Sequence, residues 1–262
     1  MNINFSKYQG TGNDFVVIDN RKGDVLLTTN QIAFICDRRK GIGADGLMLL
    51  GKAEGFDFSM TYYNADGLEG SMCGNGGRCL TQFAYDNGIQ QKHFHFTAID
   101  GPHESTINED GWIYLKMCNV NAVEKNIDGD VTFYVLNTGS PHYIEMVDHI
   151  NQVDVVGLGQ SIRYNERFKQ EGINVNFVAQ QDGFISVRTY ERGVENETLS
   201  CGTGVTAAAL ITGIEKLGEQ TIQIETLGGK LAVRFNNRGD NAFDDIWLMG
   251  PGTFVFNGSI SL

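Results

Sequence analysis

The chain has 262 residues, 41% of them hydrophobic, and a formal net charge of −12 at pH 7. That length suffices for one large core or two of about 130 residues each, and the acidic balance excludes nucleic acid and anionic membrane as principal partners, because both select clustered Lys and Arg. No stretch approaches the roughly 18 apolar residues of a membrane span, and the opening MNINFSKYQG lacks a basic-then-apolar signal, so a cytoplasmic location is expected.

In chain order, residues 4–8 and 14–19 read as two strands of a hairpin turned by Gln9-Gly10-Thr11-Gly12. Thr28-Thr29-Asn30 offers an N-cap for a helix through Gln31 to Cys36 that ends at the basic run Arg38-Arg39-Lys40. Cys36 lies among apolar residues and is expected to be a small buried hydrophobe. Strands follow at 46–50 and 56–63, and the turn Asn64-Ala65-Asp66-Gly67 leads toward Cys73. A helix is predicted from about Gly74 to Tyr85, with Leu80, Phe83 and Ala84 on one face and a stop at Asn87-Gly88. Alternation returns at Phe94/Phe96, with His93 and His95 on the solvent face, and at Ile113/Leu115/Met117.

After Cys118 the composition turns polar, and residues 119–130 are expected to join two domains. Strands follow at 132–136 and 143–146, then a helix at 154–164, strands at 174–179 and 185–190, and a helix containing Ala207-Ala208-Ala209-Leu210-Ile211. That run is small or apolar nearly all round, so a sheet wrapped around the helix is expected. Alternating strands at Ile222/Ile224 and Leu231/Val233/Phe235 turn through Leu227-Gly228-Gly229, and a last short strand follows Pro251. Many hairpins and few helices make the class α+β rather than a doubly wound parallel sheet.

The two halves echo one another. Cys73-Gly74-Asn75-Gly76 and Cys201-Gly202-Thr203-Gly204 each place Gly-x-Gly after a cysteine and before a helix, 128 residues apart (201 − 73). Thr11-Gly12 and Thr138-Gly139, and Tyr63-Asn64 and Tyr190-Glu191, follow the same order. Five cysteines without a signal segment do not make a disulfide framework, and the Cys73/Cys79 spacing is not that of a zinc pair, so no metal is expected.

A helix N-terminus offers unpaired N–H groups and a positive partial charge, which suit a carboxylate and favour a thiolate, and glycine lets backbone approach a ligand. Two such sites facing one small anion would let one sulfur remove a proton from carbon while the other supplies one to the opposite face. No cofactor is needed in principle.

Gly10-Thr11-Gly12-Asn13-Asp14-Phe15, Asn64-Ala65-Asp66-Gly67, Met72-Cys73-Gly74-Asn75-Gly76-Gly77-Arg78-Cys79, Tyr190-Glu191-Arg192-Gly193 and Ser200-Cys201-Gly202-Thr203-Gly204 occur in an order that resembles the diaminopimelate epimerases, which work without pyridoxal phosphate. The resemblance spans essentially the whole chain. It implies two pseudo-symmetric domains, each a mainly antiparallel sheet rolled around a central helix: residues 1–118 with 250–262 returning to them, and residues 119–249. It further implies an active site in the cleft between them, a homodimer, and interconversion of LL- and meso-2,6-diaminopimelate for lysine and, in some bacteria, peptidoglycan synthesis. By the same resemblance Cys73 and Cys201 are the acid/base pair and His142 and Glu191 tune them. Asn13, Asn64, Gly74, Asn75, Asn174, Glu191, Arg192, Gly202 and Thr203 are the implied substrate contacts. Two positions depart from the family pattern: Gly46 stands where a substrate-contacting Gln is usual, and Ser140 where an Asn usually precedes Pro-His.

Plainer readings remain beside these. Cys79 and Cys118 are expected to pack rather than react, and Glu191-Arg192 alone would be an ordinary exposed ion pair. Gly74 to Gly77 lacks the Lys-Ser/Thr of a phosphate loop. A two-cysteine proline or hydroxyproline racemase would require a tight apolar ring pocket, whereas Arg192 and the many asparagines favour a polar distal group. A thiol redox or ligand-binding protein is the alternative from another class.

Overall fold

The computed structural model describes residues 2–262. They fall into two compact units, one of residues up to Leu115 together with Gly250–Leu262, the other Lys116–Met249.

The first unit contains β1 (Asn2–Gly10), β2 (Asn13–Asp19), α1 (Thr29–Cys36), β3 (Gly46–Gly51), β4 (Phe58–Asn64), α2 (Gly74–Asp86), β5 (His93–Ala98), β6 (Gly101–Ile107) and β7 (Ile113–Lys116, which runs just past the break). β1 and β2 form the expected hairpin, turned by Thr11 at φ 50 and Gly12 at φ 85. β2 pairs parallel with β3, β3 antiparallel with β4, β4 parallel with β5, and β5 antiparallel with β6, which pairs antiparallel with β7. α1 begins with a reciprocal capping box between Thr28 and Gln31, and its Ile32 and Ile35 bury against Val16, Ile18, Leu47 and Leu49. α2 lies against β1, β2, β3, β4 and β6, with Leu80, Phe83 and Ala84 buried.

The second unit contains β8 (Val123–Asp128), β9 (Val131–Asn137), β10 (Pro141–Met146), α3 (Val155–Arg163), β11 (Asn174–Gln180), β12 (Ile185–Glu191), β13 (Asn196–Thr198), α4 (Gly202–Thr212), β14 (Gly218–Thr226), β15 (Gly229–Gly239) and β16 (Ala242–Gly250). Its pairings repeat the first unit's order: β9 and β10 antiparallel, β10 and β11 parallel, β11 and β12 antiparallel, β12 and β14 parallel, then β14, β15 and β16 antiparallel. Ala207 to Ile211 of α4 are all buried, within a wall formed by β9 to β12, β14 and β15. β17 (Thr253–Ser261) pairs antiparallel with β1 in the first unit, as β8 pairs with β9 in the second.

Each unit is thus a mixed sheet with an internal helix, and antiparallel pairs predominate. Residues 123–128, within the polar stretch expected to join the domains, form the strand β8. Its side chains are mostly exposed, so it is held through backbone pairing with β9 and carries no hydrophobic alternation. β17 is likewise a nine-residue strand rather than a short one.

Candidate active site

Both Cys73 and Cys201 occupy the N-cap position of a helix, α2 and α4, with extended backbone (φ −95 and −113) and no side-chain capping bond. Cysteine is a poor cap; Ser, Asp or Asn there would add roughly 1 kcal/mol to the helix. Using it at the matching place in both units favours chemistry over helix stability. Each sulfur sits at the positive end of its helix, beside N–H groups of the first turn that lack intrahelical partners.

In the first unit Asn13 Oδ1 lies 3.6 Å from Cys73 Sγ and accepts from Asn75 Nδ2 at 3.4 Å, while Asn13 Nδ2 donates to Asp45 Oδ2 at 2.7 Å. Asp45 and Asp14 share Arg38, and Lys7 reaches Asp14. Burial works against the Asp14 carboxylate, yet hydrogen bonds and charge from Arg38 and Lys7 bring it down to about 2. Asn64 ends β4 in an exposed turn where its backbone N–H bonds Leu68 O.

Arg78 escaped the sequence reading of function. It is fully buried, and its guanidinium donates to Gly74 O, Asn75 Oδ1, Thr11 Oγ1 and Pro251 O, all neutral oxygens. Among the described residues no carboxylate pairs with it. Burial lowers it to about 10, with Cys79 and Cys73 pulling the other way, so it stays a cation at neutral pH. The available signal was a lone Arg inside a helix of small and apolar residues. Cys79 is fully buried and pushed up to about 12 by burial, a thiol that packs.

In the second unit, Cys201 Sγ is 3.5 Å from Thr203 Oγ1, Thr203 Oγ1 is 3.1 Å from Ser140 Oγ, and Ser140 Oγ is 3.0 Å from His142 Nε2. Asn176 Nδ2 meets His142 Nδ1 at 3.1 Å, and Asn174 Nδ2 donates to Ser140 Oγ at 3.1 Å. Burial and the charge of Arg192 lower His142 to about 3, so it is a neutral imidazole at physiological pH. Arg192 donates its backbone N–H to Asn174 Oδ1 and its guanidinium to Glu171 O, and Glu191 Oε2 accepts from Thr198 Oγ1 at 2.8 Å. His142, Asn174, Arg192, Cys201 and Thr203 therefore form one hydrogen-bonded group, with Gly202 opening the helix beside it.

The sequence model of a family described as diaminopimelate epimerase matches residues 5–123 and 134–255. A diaminopimelate epimerase of Flavobacterium psychrophilum is 49% identical over 257 residues, 97% of this chain and 98% of that protein. One from Chlorobaculum tepidum is 42% identical over 260 residues, 97% and 99% of the two chains. The chain belongs to the diaminopimelate epimerase family. Solved structures add the fold alone: a phenazine biosynthesis protein of the PhzF family from Bacillus anthracis (TM-score 0.77, 14% identity, all of both chains) and a hydroxyproline epimerase from Agrobacterium vitis (TM-score 0.68, 14% identity, 99% and 91% covered).

The two departures from the diaminopimelate epimerase pattern now have physical accounts. A Cβ on residue 46 would lie 2.5 Å from Tyr62 Cε2 and 2.6 Å from Tyr63 O, so the Tyr62 ring occupies the space and position 46 admits only glycine in this packing. Ser140 is not merely a shortened contact: its hydroxyl joins His142 to Thr203. Asn176, which the sequence reading also passed over, sits against Gly204, where a Cβ would come within 2.4 Å of Asn176 Oδ1.

Proposed function

We propose that this isomerase inverts one Cα of 2,6-diaminopimelate, interconverting the LL and meso forms, with Cys73 and Cys201 as the acid/base pair. The observation that carries the reading is the recurrence of cysteine at the N-cap of topologically matching helices in a chain of this family. A thiolate takes the α-proton from one face and a thiol delivers one to the other, so the centre inverts and the sulfurs exchange protonation states. The carboxylate of the reacting centre is bound by first-turn N–H groups of α2 and α4, donors that strengthen their hold as negative charge spreads from Cα in the transition state.

Gly74, Asn75, Gly202 and Thr203 supply that cradle, and Asn13, Asn64, Asn174, Glu191 and Arg192 hold the remaining polar groups. No cofactor takes part, and the product feeds lysine synthesis. Among the described residues no helix is long and apolar enough to cross a membrane. The protein is a homodimer in this reading, supported by Phe254, Val255 and Phe256 of β17, which are 47, 50 and 44% exposed. Val255→Lys should halve the sedimenting mass; an unchanged mass removes β17 from the interface.

Proton NMR in heavy water tests the central reaction. Diaminopimelate should exchange its α-hydrogen for deuterium with no added cofactor, and proline should not. Retention of the α-proton by folded protein would leave only a binding or redox role.

A further inference from the structure

The donors and acceptors around His142 can be assigned as a chain of hydrogen bonds that leads to Cys201 Sγ. Two amides start the assignment, and backbone atoms fix both. Asn176 Nδ2 donates to Tyr143 O at 3.0 Å while its Oδ1 accepts from Thr189 Oγ1 at 2.9 Å, so the group facing His142 Nδ1 is an N–H donor. Asn174 Oδ1 accepts from the Arg192 backbone N–H at 2.9 Å and its Nδ2 donates to Pro141 O at 3.0 Å, so its other N–H points at Ser140 Oγ.

The rest follows from donor inventory. His142 Nδ1 is an acceptor, and the buried ring is neutral, so Nε2 carries the proton and donates to Ser140 Oγ. Ser140 Oγ then receives two donors, from His142 and Asn174, and its single hydrogen goes to Thr203 Oγ1. Thr203 Oγ1 accepts from Ser140, and Cys201 Sγ is the acceptor within reach of its own hydrogen. The direction runs from two anchored amides to the sulfur.

We propose that Ser140 is a positioning residue that commits the Thr203 hydroxyl proton to Cys201 Sγ, so that Cys201 rests as the thiolate and serves as the base toward the isomer whose α-hydrogen faces it. The proposal rests on the two-cysteine reading of function, which it deepens. A hydrogen bond to the charged form stabilises that form, here on a sulfur already at a helix N-terminus. The titratable and charged groups on the surrounding elements are His142 on β10, neutral; Glu191 at the end of β12, engaged by Thr198; and Arg192 beyond it, engaged by Glu171 O. The buried Arg78 cation acts on Cys73, so the test is made on Cys201 alone, in a Cys73→Ala background.

The rate of Cys201 alkylation by iodoacetamide is followed against pH, with each thiol resolved by mass spectrometry. Ser140→Ala should move the Cys201 ionisation up by about one pH unit and slow alkylation near neutrality about tenfold. Thr203→Val should produce the same shift, Thr203→Ser should leave the profile in place, and Ser140→Ala added to Thr203→Val should do nothing further. An unmoved profile in folded Ser140→Ala, or an additive double variant, overturns the proposal. Should Ser140→Ala fail to fold, the Thr203→Val and Thr203→Ser pair decides it: a shift in the first and none in the second supports the relay, and equal profiles overturn it. Failure of α-hydrogen exchange in the parent protein would instead strike the functional reading, so the two failures are distinct.

Discussion

Five residues beyond each cysteine, the two units diverge. Arg78 and Thr206 both send a side-chain donor back to the carbonyl four residues earlier, Gly74 O and Gly202 O. One is a buried cation and the other a neutral hydroxyl. Three residues beyond each cysteine the contrast recurs: a Cβ on Gly76 would touch Met48 Sδ, whereas one on Gly204 would strike Asn176 Oδ1. The strand order and the cysteine at the helix N-cap are shared between the copies, but the support behind each sulfur is not. In the first unit a fixed positive charge acts on Cys73 at a distance, and in the second a directed hydroxyl chain acts on Cys201 at contact. An acid and a base that trade roles must each be able to hold the thiolate, and here a cation and a neutral hydroxyl chain are the two means; the second is the one whose state a single hydroxyl can set.

The largest test of this contrast is removal of either sulfur. Cys73→Ala and Cys201→Ala should each lower epimerisation at least 10³-fold while leaving circular dichroism unchanged, and near-normal turnover in one of them would end the two-base scheme. Next, Arg78→Met should cost about 2–4 kcal/mol in urea unfolding, because four oxygens lose their donor inside the core, whereas Thr206→Val should cost about 1. Equal costs would mean the cation is not structurally distinct from the hydroxyl.

A smaller effect is expected at position 46: Gly46→Ala should destabilise by about 1–3 kcal/mol by driving a Cβ into Tyr62 and the Tyr63 carbonyl, and wild-type stability there would show that Tyr62 yields easily. Acid provides a graded probe. His142 falls from an ordinary value near 6.5 to about 3 on folding, so between those values the unfolded chain binds more protons; stability is full above pH 6.5 and declines as pH drops, by at most about 1.4 kcal/mol per unit. Asp14, lowered to about 2, begins to act only below about pH 4. The second unit should therefore soften first, and His142→Asn should flatten the slope between pH 6 and 4; an unaltered slope would assign it to other groups.

Much of this was legible from local pattern. The hairpin at Gly10-Thr11-Gly12, the capped helix at Thr28 and the buried Ala207 to Ile211 run each carried a short-range physical signature, and the Cys-Gly-x-Gly echo exposed the duplication. What escaped depends on distant partners. β8 is a polar strand held by its neighbour's backbone, β6 contains Pro102, and β16 carries Asp244-Asp245, with Asp245 at φ 47, so none shows clean alternation. The parallel pairs join strands separated by a helix, and nothing local specifies their register. Ser140 and Asn176 gain meaning only when β10, β11 and α4 converge, and Arg78 only when Pro251 arrives from the far end of the chain to accept its Nε.

That late arrival has a consequence for synthesis. β17 supplies Phe254 and Phe256, which stack edge-on against Tyr8 and Phe5 of β1, yet a ribosome makes those rings only after the whole second unit. The nascent first unit must wait, its opening strand bare along one edge, while the entire second unit emerges. A chain stopped near residue 250 would thus leave an open β1 edge primed for aggregation, and pulse-chase proteolysis should find the N-terminal segment protected only after β17, Thr253–Ser261, leaves the exit tunnel.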